Sequence, residues 1–232
     1  MKKSIIKLLF LSFLLPVSNS VSAQDNPFNV GFRYGYTLPM GQFASHEYTY
    51  GAYALLGSSA SAEASWYPGK RLGFGASFSL SYFPIAAYYF LQDYDSADPT
   101  VQYNFIKSET YEVRTYMGGA FYRLPISKRF EASFKAMGGL CWVRSPYQFF
   151  TGTYLIGPMF HIITPAISSR FAFSGAATLN YKLFDHVVLL LESEFSYSEA
   201  KFTFWKNGMT QKEIQIIKMP LFKVQPGINI TF

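Results

Sequence analysis

The chain has 232 residues, with 20 Lys and Arg against 14 Asp and Glu; half of it is apolar and 19% is aromatic. Beyond residue 23 no apolar run reaches the ~18 residues a membrane-crossing helix needs, which excludes a helical membrane protein. One cysteine, Cys141, excludes an internal disulfide and Cys-rich metal sites, and the lack of a basic cluster leaves no footprint for nucleic acid.

The chain opens with a secretion signal. Lys2, Lys3 and Lys7 form a basic start, Ile5 to Val17 is an apolar core, and Val21-Ser22-Ala23 is a small-residue cleavage site. Residues 1–23 are therefore expected to be removed, leaving 24–232 as one domain. Gln24, and no Cys, follows the cleavage site, which argues against a lipoprotein anchor. Without the three signal lysines, 17 basic side chains face 14 acidic ones, so most of the basicity belongs to the signal.

Eight segments then alternate with the two-residue period of a strand. The first, Phe28 to Leu38, sets Phe28, Val30, Phe32, Tyr34 and Tyr36 against Asn29, Gly31, Arg33, Gly35 and Thr37. The second, Leu56 to Trp66, sets small apolar residues and Trp66 against Ser59, Ser61, Glu63 and Ser65. After the turn Pro68-Gly69-Lys70, the third sets Leu72, Phe74, Phe78, Leu80 and Tyr82 against glycines and serines. The fourth, Thr110 to Arg123, predicts Tyr111, Val113, Met117 and Phe121 outward, with Glu112 and Arg114 inward. The fifth places Phe130, Phe134, Leu140 and Trp142 opposite Glu131, Lys135 and Cys141, whose thiol reads as a small space-filler. The sixth sets Phe171, Phe173, Leu179 and Tyr181 against Arg170, Ser174, Thr178 and Asn180. The seventh sets Val187, Leu189, Leu191, Phe195 and Tyr197 against Glu192, Glu194, Ser196 and Ser198. The eighth, Phe222 to Phe232, ends in alternating apolar residues; its Pro226 removes one ladder donor, for which a bulge is one account.

Connections alternate between short (67–71, 124–129, 182–186) and long (39–55, 84–109, 144–169, 199–221), as in barrels with tight periplasmic turns and long external loops. Bulky rings share one parity and small or charged residues the other. A soluble barrel would also alternate, but the interior of an eight-stranded barrel is only wide enough for small or mutually paired side chains, which favours rings toward lipid. The expectation is an all-β, antiparallel, transmembrane up-and-down barrel of eight strands. Ten strands stay open, because Pro158 and Pro165 bracket Met159 to Thr164 as a further short strand.

The run Val30-Gly31-Phe32-Arg33-Tyr34-Gly35-Tyr36, the following Pro39-Met40-Gly41-Gln42-Phe43 and the terminal Gly227-Ile228-Asn229-Ile230-Thr231-Phe232 resemble the small outer-membrane β-barrel families of OmpA, OmpX and OmpW type, and more closely the barrel proteins common in Bacteroidetes. The resemblance covers essentially the whole mature chain. It implies residence in the outer membrane, contact with its lipid, and delivery by a barrel-assembly machinery that reads the final aromatic, Phe232.

Ten charged residues are assigned to the interior: Arg33, Glu63, Glu112, Arg114, Glu131, Lys135, Arg170, Glu192, Glu194 and Lys223. Buried singly they would be costly, so a salt-bridged plug is expected in place of an open pore. Candidate chemistry is sparse. His46, His161 and His186 fall in different connections, no nucleophile is poised beside a base, and Asp93, Asp95 and Asp98 read as a solvated loop, so neither a catalytic site, a cofactor nor a metal is expected. The external loops are unusually apolar. Tyr88, Tyr89, Phe90, Phe149, Phe150, Tyr154, Met159 and Phe160 either pack on one another, meet an envelope or host partner, or line an apolar pocket. Two functions follow: a non-enzymatic structural or interaction protein of the outer membrane, or an OmpW-like carrier of small hydrophobic molecules.

Overall fold

In the computed structural model, which describes residues 28–47, 51–69, 71–97, 100–154, 157–206 and 211–232, the alternating segments close into a ring. The signal segment lies outside the described residues. Eleven strands run in chain order: β1 Phe28–Pro39, β2 Gly57–Trp66, β3 Leu72–Phe83, β4 Gln102–Ser108, β5 Tyr111–Pro125, β6 Phe130–Arg144, β7 Gln148–Tyr154, β8 Gly157–Ile163, β9 Ile167–Phe184, β10 Val187–Lys206 and β11 Gln211–Thr231. Among the described residues one helix, α1, spans Ala87–Ala97, and a 3-10 turn spans Gly41–Phe43. The barrel order is β1-β11-β10-β9-β6-β5-β3-β2, with β1 pairing both β2 and β11, so every strand of the ring has two neighbours. All pairings are antiparallel.

The barrel has eight strands, and the remaining three form a separate sheet, β4-β7-β8, on the external side. The hairpin that left ten strands open does exist as β7 and β8, but it pairs with β4 and stays out of the ring. Two of the expected long loops are likewise structured. Residues 84–109 contain α1 and β4, and the 199–221 connection continues β10 and β11 as a paired ribbon up to Lys206↔Gln211.

The outer wall is what places the chain. Phe32, Tyr34 and Tyr36 on β1, Phe74 and Phe78 on β3, Phe134 and Leu140 on β6, Phe171, Phe173 and Leu179 on β9, Leu191 and Phe195 on β10, and Ile228 on β11 are all exposed, while the residues of opposite parity between them are buried or half-buried. A closed ring satisfies its backbone internally, and a wall of exposed rings is stable only against hydrocarbon. The chain is an antiparallel β-barrel of the outer membrane.

Two sequence expectations are corrected. Pro226 makes no bulge: the β1–β11 register is the same at Arg33↔Gly227 and Tyr36↔Val224, and the ladder only skips the positions between. Pro226 remains opposite Leu191 on the β10 side, so its missing N–H falls toward β1. There Gly35 lets the strands close up, since a Cβ would lie 2.2 Å from the Val224 carbonyl oxygen. The parity of β5 is also reversed. Tyr111, Val113, Met117 and Phe121 are buried in the interior, and Glu112, Arg114 and Tyr116 face outward. Pairing decides this, because Tyr116↔Leu140 and Tyr122↔Phe134 tie β5 to the lipid-facing side of β6. On β5 both faces carry large apolar residues, so alternation alone could not choose.

Candidate functional site

Three layers fill the barrel from the periplasmic end, where the short turns, Phe28 and Phe232 lie, to the external side. The first is a polar vestibule. Arg123 lies with its guanidinium carbon 3.4 Å from the Tyr67 ring centroid and its Nε 3.6 Å from Glu131 Oε1. Asn180 Nδ2 donates to Glu131 Oε1 at 3.3 Å and to Ser133 Oγ at 3.1 Å. These groups, with Asn29, Asn229 and Thr231, line a cavity of about 80 Å³ that ends on Arg33, Glu63 and Lys135.

The second layer is ionic. Arg33 donates from its guanidinium to Glu63 Oε1 at 2.9 Å, and its Nε lies 3.1 Å from Glu192 Oε2. Lys135 Nζ donates to Glu63 Oε2 at 2.6 Å and also to Glu192. Thr178 Oγ1 adds a donor to Glu192 Oε2 at 2.9 Å. Two cations and two carboxylates, one each from β1, β2, β6 and β10, thus bridge the lumen with side chains no more than 6% exposed. Just beyond, Lys223 Nζ meets Glu194 Oε1 and Ser79 Oγ, each at 3.0 Å. The Ser79 and Thr115 hydroxyls hydrogen-bond at 2.5 Å, and Gln225 Nε2 donates to Ser59 Oγ at 2.8 Å. Each charge has an opposite partner and hydroxyl or amide neighbours, the condition under which burial is tolerated.

The third layer is apolar. Phe83, Val113, Met117, Cys141, Val143, Ala172, Ala200, Phe202, Ile217, Met219 and Leu221 form one buried cluster with Phe43 and Tyr111. Phe43, carried by the 3-10 turn, packs edge-on to Phe83 at 5.2 Å and Tyr111 at 5.1 Å, closing the top. Cys141 is buried within this layer.

Of the ten residues assigned to the interior, Arg33, Glu63, Lys135 and Glu192 form the central cluster, Glu194 and Lys223 the second pair, and Glu131 the vestibule wall. Glu112 and Arg114 do not belong there. They pair with each other on the outer wall, where Arg114 Nε donates to Glu112 Oε1 at 2.6 Å and its guanidinium covers the Trp142 ring at 4.6 Å. Arg170 occupies an inward register position but is exposed, and among the described residues it joins no ion pair. Sequence reasoning missed Arg123, Thr178, Asn180, Ser79 and Gln225 as members of the network. Inward parity was the only signal for Thr178, Asn180, Ser79 and Gln225, and the parity assigned to β5 had turned Arg123 outward; which partner each meets is set by the pairing and stagger of the strands.

The external head joins α1, the β4-β7-β8 sheet and the segment before β2. Tyr53, Phe90 and Phe150 are buried together with Ala86. A run of ring contacts links His46 to Tyr53 (5.8 Å), Tyr53 to Phe90 (5.3 Å), Phe90 to Phe150 (6.0 Å) and Phe150 to His161 (5.2 Å). Asp93 accepts from the Tyr53 hydroxyl at 2.5 Å, and Asp95 accepts from the Tyr103 backbone N–H at 2.9 Å, so these two acids act as supports for the head. Asp98 lies outside the described residues. The loop aromatics therefore divide: Phe90 and Phe150 are interior, whereas Tyr88, Tyr89, Met159 and Phe160 are exposed and Phe149 is half-buried, stacked on Phe160 at 5.5 Å. Tyr154 has its backbone in β7, and its side chain is outside the described set. At the periplasmic end, Phe232 donates its N–H to the Phe28 carbonyl at 2.8 Å and its ring lies 6.3 Å from that of Phe28.

No family model and no curated protein matches the chain. Among solved structures it is similar to neisserial surface protein A, with a TM-score of 0.48 at 9% identity over 88% of this chain and 97% of that one. It is similar to Ail, the attachment invasion locus protein of Yersinia pestis, with a TM-score of 0.44 at 10% identity over 90% of this chain and all of that one. The outer-membrane protease OmpT of Escherichia coli also matches, with a TM-score of 0.34 at 10% identity over 92% of this chain and 99% of that one.

Proposed function

We propose that the chain is a non-enzymatic outer-membrane barrel whose lumen is a closed structural core and whose external head is an interaction surface for an envelope or host protein. One observation carries the reading. The β4-β7-β8 sheet buries Phe150 on its inner face, while its outer face presents Phe160 and Ile162, exposed by 65% and 58%, beside the half-buried Phe149. Phe160 and Ile162 are two residues apart on β8, a strand paired among the described residues only with β7, so apolar side chains and a strand edge are offered together. Below this head the apolar and ionic layers stand in series, which supports a scaffold more than a conduit.

The carrier reading has one feature in its favour: β9 and β10 part above Ala172↔Ser198. Behind that parting Ala172, Ala200 and Phe202 are fully packed, so the interaction reading stands ahead. The test has two readouts on the full chain. In planar bilayers the barrel is expected to show no steady openings, and a photo-crosslinker replacing Phe160 is expected to capture a protein from the envelope or host surface that one replacing Phe74 on the lipid face does not. Steady conductance, or identical products from the two sites, would overturn the proposal.

A further inference from the structure

The parting of β9 and β10 is a seam with its own chemistry. The two strands pair from Val187↔Phe184 to Ser198↔Ala172 and no further, although β9 begins at Ile167 and β10 runs to Lys206. On their other flanks both stay paired, β9 with β6 as far as Arg144↔Ile167 and β10 with β11 as far as Lys206↔Gln211. The Lys201 N–H turns to Ser168 Oγ, 2.8 Å away, in place of a ladder partner. Unpaired strand edges are not tolerated in hydrocarbon, so the seam sits at the external head-group level. The outward residues agree. Leu191, Phe195 and Tyr197 on β10, and Phe222 and Val224 on β11, are uncharged, and the first outward charges above them are Glu199, Lys201 and Lys218, all exposed.

Arg170 belongs to this level. It is the Cα partner of buried Cys141 and lies between buried Ser168 and Ala172, yet it is exposed. The interior here is packed solid, so its side chain leaves through the seam. Among the described residues no ion pair includes Arg170, Lys201 or Lys218; the one nearby acid, Glu199, accepts from the Tyr197 hydroxyl at 3.2 Å and faces Lys218 across the ribbon. Directly below stand Phe171 and Phe173, exposed by 66% and 51%, with Leu140 beside Phe171.

We propose that the seam binds the phosphate of a phosphorylated glycolipid of the outer leaflet, with Arg170 and Lys201 as its charged ligands and Ser169 as a neutral donor. The acyl chains lie on Phe171, Phe173 and Leu140. Guanidinium and ammonium groups without protein partners, at the rim of a bilayer, match phosphate oxygens in charge and geometry. The ring shelf selects lipid over a free anion, because an inorganic ion gains nothing from it.

Native mass spectrometry of the full chain in detergent tests this with diphosphoryl lipid A, fully dephosphorylated lipid A and inorganic phosphate. The phosphorylated lipid is expected to bind at least about tenfold more tightly than the dephosphorylated one, and R170Q/K201Q to remove that difference, while K128Q/R129Q at the periplasmic turn keeps it. S169D, which changes only an exposed side chain beside the seam, is expected to weaken the same lipid and serves if the double variant does not fold. Equal binding of both lipids, an unchanged R170Q/K201Q or S169D variant, or displacement of the lipid by inorganic phosphate at equal concentration would overturn the proposal.

Discussion

Replacing Glu192 by Gln is the sharpest probe of the lumen. The Glu192 carboxylate is met by Arg33, Lys135 and Thr178, and its side chain is 3% exposed. With Glu63 it balances the two cations, so the substitution leaves one buried positive charge without a counter-ion while barely changing volume. Stranding one partner of a buried pair costs about 3–5 kcal/mol. Taking ~2 kcal/mol per molar for the urea dependence, the unfolding midpoint should fall by roughly 2 M, well outside experimental error. Removing the cation as well, in Glu192→Gln with Lys135→Met, restores neutrality and should recover most of the loss, since a buried pair replaced by apolar groups is often close to neutral. The assay is urea unfolding of the barrel in detergent or lipid, followed by tryptophan fluorescence and by the mobility of unheated protein in gels. A single-variant cost below ~1 kcal/mol would refute the reasoning, because it would mean that water reaches Glu192 and the ionic layer is solvated.

Other predictions follow from the upper layers. Phe202→Ala empties a fully buried site beside Ile217 and Met219 and should cost about 3–5 kcal/mol in the same unfolding measurement. Cys141, only 2% exposed, should resist alkylation by a water-soluble maleimide in the folded barrel and react at once on unfolding. Gln42 acts as a substitute strand for the β11 edge, its Nε2 donating to the Ile216 carbonyl at 3.3 Å and its Oε1 accepting from the Lys218 N–H at 2.9 Å. Gln42→Ala should therefore cost about 1–2 kcal/mol locally and raise proteolysis of the β10–β11 ribbon, with little change in global unfolding. Phe232→Ala removes the ring that lies against Phe28 and should lower the yield of barrel assembled in cells.

The outward rings of β1, β3, β6, β9, β10 and β11 were readable from alternation alone, because a strand half in lipid and half in a narrow lumen imposes a period of two on hydrophobicity. The charges Arg33, Glu63, Lys135, Glu192, Glu194 and Lys223 were readable as inward for the same reason. What alternation does not encode is the partner across the ring. That Arg33 meets Glu63 depends on the register of β1 against β2, and that it meets Glu192 depends on closure between the first and last strands. β5 shows the limit most clearly: at the external half the interior is itself apolar, so Val113 and Met117 face inward with no contrast to reveal it, and Glu112 and Arg114 find a counter-charge and the Trp142 ring on the outside. The head and the seam belong to the same category. Hydrogen bonding between β4 and β7 joins segments distant in the chain, and its cessation part-way along the β9–β10 hairpin leaves no mark in the alternation; packing and backbone pairing decide both, and local pattern has nothing to say.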